Sequence, residues 1–224
     1  MFLDPNKPID RHRVNLPHWQ QGEASIFVTW RLADSLPKAV VEKLATQRAA
    51  WEKIHPQPWD EAVRKEHSRK FTLGFEALLD DAHGECLLAQ KDFRDIISGA
   101  LLHFHGERYS LDQFVIMPNH VHVLFRLLGD YKLEDILQTW KRYSAREINK
   151  LRGVAGNLWQ REYWDRLIRS QRQLDWTRGY IQRNPEFLAQ GTYAQWPSGE
   201  GICNPLLKPS NNSNDPTTHP TQRD

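Results

Sequence analysis

Residues 109–128 read YSLDQFVIMPNHVHVLFRLL. Two runs rich in β-branched and aromatic residues, 109–118 and 120–128, flank the tight junction Met117-Pro118-Asn119. Such runs on either side of a proline-bearing turn predict a β-hairpin. Side chains alternate between the faces of a strand, so His120 and His122 share one face while Val121, Val123 and Phe125 share the other. A buried strand has no ordinary use for two imidazoles on one side. Adjacent same-face positions lie roughly 6 to 7 Å apart, close enough for both rings to hold one ion. The competing reading is two satisfied histidines on a half-exposed face, the commoner fate of an isolated His-x-His.

Outward from the hairpin, SIFVTWRL at 25–32 predicts a further strand. A helix is expected from Lys38 to about Ile54, punctuated by HPQPW at 55–59. The charged stretch to about Leu79 predicts a second helical excursion, so 51–90 reads as a helical insertion into a smaller domain. Phe93, Ile96, Ile97, Ala100, Leu101 and Phe104 recur at helical spacing. KLEDILQTWKRYSAREINKL, 132–151, predicts a long amphipathic helix ended by Gly153 and Gly156. QRQLDWTRGYIQRN predicts another, turning near Asn184 because Pro185 disfavours helical geometry in the residue before it. A strand, a helix, a hairpin and a further helix predict an α+β fold: a ferredoxin-like antiparallel sheet with helices packed on one face, plus additional helices. Residues 1–24, with Pro5, Pro8 and Pro17, read as an irregular N-terminal arm, 25–198 as one domain, and the polar, proline-rich 199–224 as a disordered tail.

The chain of 224 residues has a formal charge of only +2, so whole-chain charge selects no partner. Its distribution does: residues 131–190 hold twelve lysines and arginines against seven acids. Most of the twelve are arginines, whose planar fork grips phosphate in two places. Trp140, Trp159, Tyr163, Trp164 and Trp176 lie among them. Cations interleaved with flat rings suit a nucleic-acid strand with exposed bases, although a solvated helix face with its aromatics in the core has the same composition. No apolar run approaches the roughly 20 residues that span a bilayer, and the start of the chain has no secretory pattern, so a soluble, cytoplasmic protein is expected. Cys86 and Cys203 are too few for a disulfide framework or a zinc ribbon and read as reduced thiols.

Two histidine-strand families bear on His120-Val121-His122. Histidine-triad hydrolases need a third histidine where this chain has Leu124. MPNHVHVLF, followed by TWKRYSAREINK, LWQREYWDRLIR and GYIQRNP, instead resembles the single-tyrosine HUH transposases, specifically the REP-associated tyrosine transposases, over roughly residues 25–190. The resemblance implies a tyrosine nucleophile on a later helix with a polar metal ligand four residues beyond it. On this chain these are Tyr180 and Asn184, which one helical turn would place on the same face. It further implies a divalent metal, Mg²⁺ or Mn²⁺, held by His120, His122 and Asn184, and cleavage and rejoining of single-stranded DNA beside REP-like hairpins through a 5′-phosphotyrosine. Tyr143 is the rival nucleophile, but its i+4 neighbour is Glu147 on a basic face, so packing or DNA contact is the better expectation. Arg142, Arg146, Arg161, Arg166, Arg169 and Arg183 are candidates for DNA contact, and Trp159 and Trp164 for base stacking. The expected partner is single-stranded or hairpin DNA, with no membrane, no nucleotide cofactor, a monomer favoured over a homodimer, and a nucleoid-associated location. The alternatives are a domesticated hairpin-DNA-binding protein without cleavage activity and a metal-dependent nuclease that uses water.

Overall fold

The computed structural model describes residues 2–4, 10–13, 17–56, 59–73, 78–79 and 83–197. The predicted hairpin is present: β4 (Tyr109–Ile116) and β5 (His120–Leu127) pair antiparallel across a three-residue connection closed by the Met117 amide donating to the His120 carbonyl at 2.8 Å. β3 (Ser25–Arg31) pairs with the other edge of β5, and β6 (Trp164–Leu167) pairs with β3. A short β7 (Ala194–Trp196) adds to β4. The spatial order is β6-β3-β5-β4-β7, all antiparallel. Without β7, its four strands follow the interleaved order of a ferredoxin-like sheet, as expected from the sequence.

Three helices bear on this sheet. α3 (Lys91–Leu102) and α4 (Leu133–Arg152) cover one face, where Ile26, Val28, Trp30, Val121, Val123 and Phe125 point. The ring of Trp140 on α4 lies 5.9 Å from Trp30 and 4.9 Å from Tyr109, and its indole N–H donates to the Tyr109 hydroxyl at 2.9 Å. That hydroxyl donates in turn to the Leu101 carbonyl of α3 at 2.8 Å, and burial pushes the Tyr109 pKa up to about 12. α4 has acids in its first turn and Lys150 and Arg152 in its last, matching the helix dipole. It stops at Gly153, whose φ of 64° favours glycine, with the Val154 amide returning to the Asn149 carbonyl. α5 (Gln171–Arg183) is the additional helix that lies on the opposite face, over Phe27, Val115 and Leu124.

α1 (Lys38–Ile54) and α2 (Glu61–His67) are joined through aromatic contacts: Trp51 meets His55, Trp59, His67 and Phe71 at 4.0 to 5.8 Å. Two expectations are corrected. The N-terminal arm is not irregular, because β1 (Asp10–Arg13) and β2 (Pro17–Gln20) form a two-stranded antiparallel ribbon. Pro17 opens its strand, the position where a missing amide is tolerated. Second, WDRL at 164–167 is a sheet strand that the sequence reading did not assign. The expected tail, 199–224, lies outside the described residues, and among the described residues no helix is long and apolar enough to cross a membrane.

Candidate active site

β5 places His120 and His122 on the α5 side of the sheet, and neither has any exposed surface. Burial alone would penalise two imidazoles unless their nitrogens were paired. All four ring nitrogens have neighbours. His122 Nδ1 is 2.7 Å from the Thr29 hydroxyl, which faces it across the β3–β5 register. His120 Nδ1 donates to Asn119 Oδ1 at 2.6 Å, since a carboxamide oxygen can only accept. The two Nε2 atoms meet at 3.0 Å. Tyr180 completes the group, its hydroxyl 3.4 Å from His122 Nε2.

Outer contacts hold these residues in place. The Asn119 carboxamide donates to the carbonyls of Leu79 and His83, both at 3.2 Å, which turns its oxygen toward His120. The Phe27 ring stacks on His122 with centroids 5.4 Å apart. Arg31, the strand neighbour of His120 on the same face, is buried and donates to Ser35 Oγ at 2.9 Å. Burial pulls the His120 pKa down to about 3 and, with the charge of His120, lowers that of His122 well below the ordinary range. Both rings are therefore neutral near pH 7 and can offer lone pairs.

α5 carries the tyrosine and is pinned in three ways. Ser170 caps its start by accepting from the Gln173 amide at 3.2 Å. Arg178, two residues before Tyr180, forks onto Asp112, with Nε to Oδ1 at 2.9 Å and Nη2 to Oδ2 at 2.5 Å. Asp112 is the extra residue of a β-bulge in β4, a device that re-aims a side chain. Gln195 of β7 donates to the carbonyls of Ile181 and Gln182. Asn184 follows the helix in helical geometry, its amide bonded to the Tyr180 carbonyl at 2.9 Å, so it lies one turn beyond the tyrosine.

One cation shared by two imidazoles needs their lone-pair nitrogens close together and aimed at a common point. The two Nε2 atoms, 3.0 Å apart, are close together. For both Nε2 atoms to present lone pairs, His122 must carry its proton on Nδ1, and the Thr29 hydroxyl can accept it as readily as it can donate. Among the described residues no group of three or more His, Cys, Asp or Glu converges. A third protein ligand would have to be another residue type, and the Asn184 carboxamide supplies an oxygen suited to Mg²⁺ or Mn²⁺. Two imidazole nitrogens and a carboxamide oxygen are donor types that such an ion accepts.

The predicted DNA-contact residues fall in two regions. Trp164 and Arg166 on β6 face the histidine side, and the Arg166 guanidinium lies 5.8 Å from the rings of Trp164 and Phe27. Arg142 and Arg161 are exposed and line a groove of about 500 Å³ between α4 and residues 156–163, on the other side of the sheet. Lys141 closes that groove by donating to the Gln160 and Arg161 carbonyls. Arg146 is exposed and paired with Glu147, while Arg169 and Arg183 are exposed beside and on α5. Trp159 corrects the stacking expectation: it is 7 % exposed, donates to Ser144 Oγ at 3.0 Å and packs edge-on against Trp30. Its ring belongs to the core. Tyr143 is on α4, across the sheet from the histidines. Thr29, Asn119 and Arg178 were missed, and only β3 register, the residue before His120 and the tyrosine helix could have drawn attention to them.

Residues 89–184 match the family model of the IS200-like transposases. That segment contains both histidines, Tyr180 and Asn184, and the match bears out the family resemblance read from the motifs. Among solved structures the chain is similar to a REP-associated tyrosine transposase bound to a REP hairpin, at 14 % identity and a TM-score of 0.44 over 78 % of this chain and 74 % of that one. It is also similar to a Deinococcus radiodurans R1 protein described as a transposase, at 16 % identity and a TM-score of 0.29 over 74 % and 93 % of the two chains. No curated protein matches.

Proposed function

We propose that this chain, whose residues 89–184 match the IS200-like transposases, cleaves and rejoins single-stranded DNA beside REP-like hairpins, with Tyr180 as nucleophile and residues 25–198 as the catalytic unit. The observation that carries the reading is the convergence of three groups from two elements. The Tyr180 hydroxyl of α5 lies 3.4 Å from His122 Nε2, which lies 3.0 Å from His120 Nε2 on β5.

His120, His122 and Asn184 would hold Mg²⁺ or Mn²⁺, which when bound supplies positive charge against a non-bridging oxygen of the scissile phosphate. Asn119 and Thr29 keep the imidazoles aimed at one point. The fork from Asp112 to Arg178 keeps α5 on the chain's own sheet, which supports a site complete within one chain. Tyr180 Oη attacks phosphorus, an O–P bond forms, and the bond from phosphorus to the 3′-oxygen breaks. The phenolic proton passes to water and the departing 3′-oxygen takes one up. The DNA is left with a 5′-phosphotyrosine and a free 3′-hydroxyl, and a second 3′-hydroxyl can reverse the step on a new strand without an external energy source. Arg166 would meet the backbone near the cut, and Arg142 and Arg161 a more distant part of the hairpin.

The test is incubation with 5′- and 3′-labelled hairpin oligonucleotides and Mn²⁺, resolved on denaturing gels. The expected result is a covalent adduct holding the strand 3′ of the cut, lost in Tyr180→Phe while the thermal melt is unchanged. Cutting without an adduct would instead identify a nuclease that uses water. The complete enclosure of both histidines favours a second reading, a hairpin-binding protein that does not cut. Hairpin binding with no cleavage under either metal would establish it.

A further inference from the structure

Trp176 belongs to neither apolar core, and 42 % of its surface is exposed. It sits one helical turn before Tyr180 on α5, and the two rings are stacked almost parallel, 5° between planes and 5.5 Å between centroids. The Arg166 guanidinium lies 5.7 Å from the same indole, held among Trp176, Trp164 and Phe27. Apart from these two contacts the indole packs into neither core. What it offers is a flat apolar surface continuous with the candidate nucleophile and flanked by a cation that matches a phosphate.

We propose that Trp176 is a stacking shelf for the unpaired nucleobase adjoining the scissile phosphate, with Arg166 meeting that nucleotide's phosphate. The proposal rests on Tyr180 being the nucleophile and assigns how its substrate is positioned. Every base has a π-face, so the shelf selects for strandedness rather than for sequence. A base in a duplex has its faces covered by its neighbours and is refused; a base in the single-stranded flank is accepted. The stack also explains why the hydroxyl of Tyr180 stays directed at His122: the indole blocks the ring from swinging outward along the helix.

The experiment uses the full chain with Mn²⁺ and REP-like hairpin oligonucleotides in which each flank nucleotide in turn is replaced by an abasic residue. Wild type, Trp176→Ala, Trp176→Phe and Phe187→Ala are compared in binding and in adduct formation. Phe187, 95 % exposed beyond the end of α5, serves as the control for general loss of a surface aromatic. Trp176→Ala is expected to weaken binding about 10-fold, the scale of one base–aromatic stack, with Trp176→Phe retaining most of it and Phe187→Ala little changed. One abasic position should cost wild type a similar factor and cost Trp176→Ala nothing more. Independent losses at every position, or an equal loss in Phe187→Ala, would overturn the shelf while a wild-type adduct leaves the Tyr180 reading intact. No adduct and no preference for single strands in wild type would remove the reading itself, and the shelf with it. If Trp176→Ala does not fold, the abasic scan with Trp176→Phe and quenching of 2-aminopurine placed at the sensitive position give the same decision: an unquenched probe overturns the shelf.

Discussion

The two faces of the sheet are both buried, yet they are made of different materials. Under α3 and α4 lies a continuous apolar layer anchored by Trp30, Tyr109, Phe125 and Trp140. Under α5 the apolar set is small, and Thr29, Arg31, His120 and His122 share the space with it. The alternation of β3 and β5 makes this division possible, because one register assigns Val28, Trp30, Val121 and Val123 to one side and the polar group to the other. The larger share of the apolar burial therefore lies on the face away from the candidate site. The opposite face can bury neutral histidines and position a tyrosine helix because the first face already holds the fold.

Changes that separate the two faces sharpen this contrast. The largest effect on stability is expected on the apolar side, where Phe125→Ala should cost about 3 to 5 kcal/mol in urea denaturation. Adduct formation per folded molecule should hold steady; a selective loss of activity would break the division. Next is pH. In the folded protein without divalent ion, His120 titrates near 3 against an unfolded value of 6.5. Between those values the unfolded chain binds the proton and the folded one does not, so this stability is complete above pH 6.5 and is lost as pH falls toward 3. The slope should be roughly 1.4 kcal/mol per pH unit for each such histidine. Chemical denaturation across pH 4 to 7 measures it, and a His120→Asn, His122→Asn double variant should flatten it.

Smaller effects are expected from the residues that aim the histidines. Thr29→Val and Asn119→Ala should each weaken Mn²⁺ binding by about 10- to 100-fold, the usual cost of a lost outer hydrogen bond, as read by calorimetry. Unchanged affinity would mean the imidazoles need no such support. Smallest is Arg178→Lys, which removes the fork to Asp112 but keeps the charge. With the pair partly exposed, a less than about tenfold fall in adduct rate is expected, with the Mn²⁺ affinity unaltered. Equal loss in both quantities would show that the fork shapes the metal site rather than the tyrosine helix.

What the sequence disclosed follows the same division. The hairpin, the strand at 25–32 and the long helix at 132–151 were legible because apolar period and turn residues agree along each segment. β6 was not: Trp164 and Arg166 on one side and Asp165 and Leu167 on the other carry no clean polar and apolar alternation, because the strand lies at the sheet edge. The basic neighbours of Trp159 point to a stacking residue. Its burial depends on a bridge to Leu32, more than a hundred residues earlier in the chain, and no local pattern reports that. The histidines, Tyr180 and Asn184 were legible through motif order. The supports from Thr29, Asp112, Leu79 and His83 were not, since each depends on register, a bulge or a carbonyl. The exposed stack of Trp176 on Tyr180 follows from simple helical spacing.

The most direct test is to find which residue carries the DNA. After reaction with Mn²⁺ and a hairpin oligonucleotide, nuclease trimming and trypsin release Tyr180 in the peptide GYIQR and Tyr143 in YSAR. Mass spectrometry should find the 5′-phosphonucleotide on GYIQR alone. DNA cut with both peptides unmodified, or the nucleotide on YSAR, would contradict the central claim.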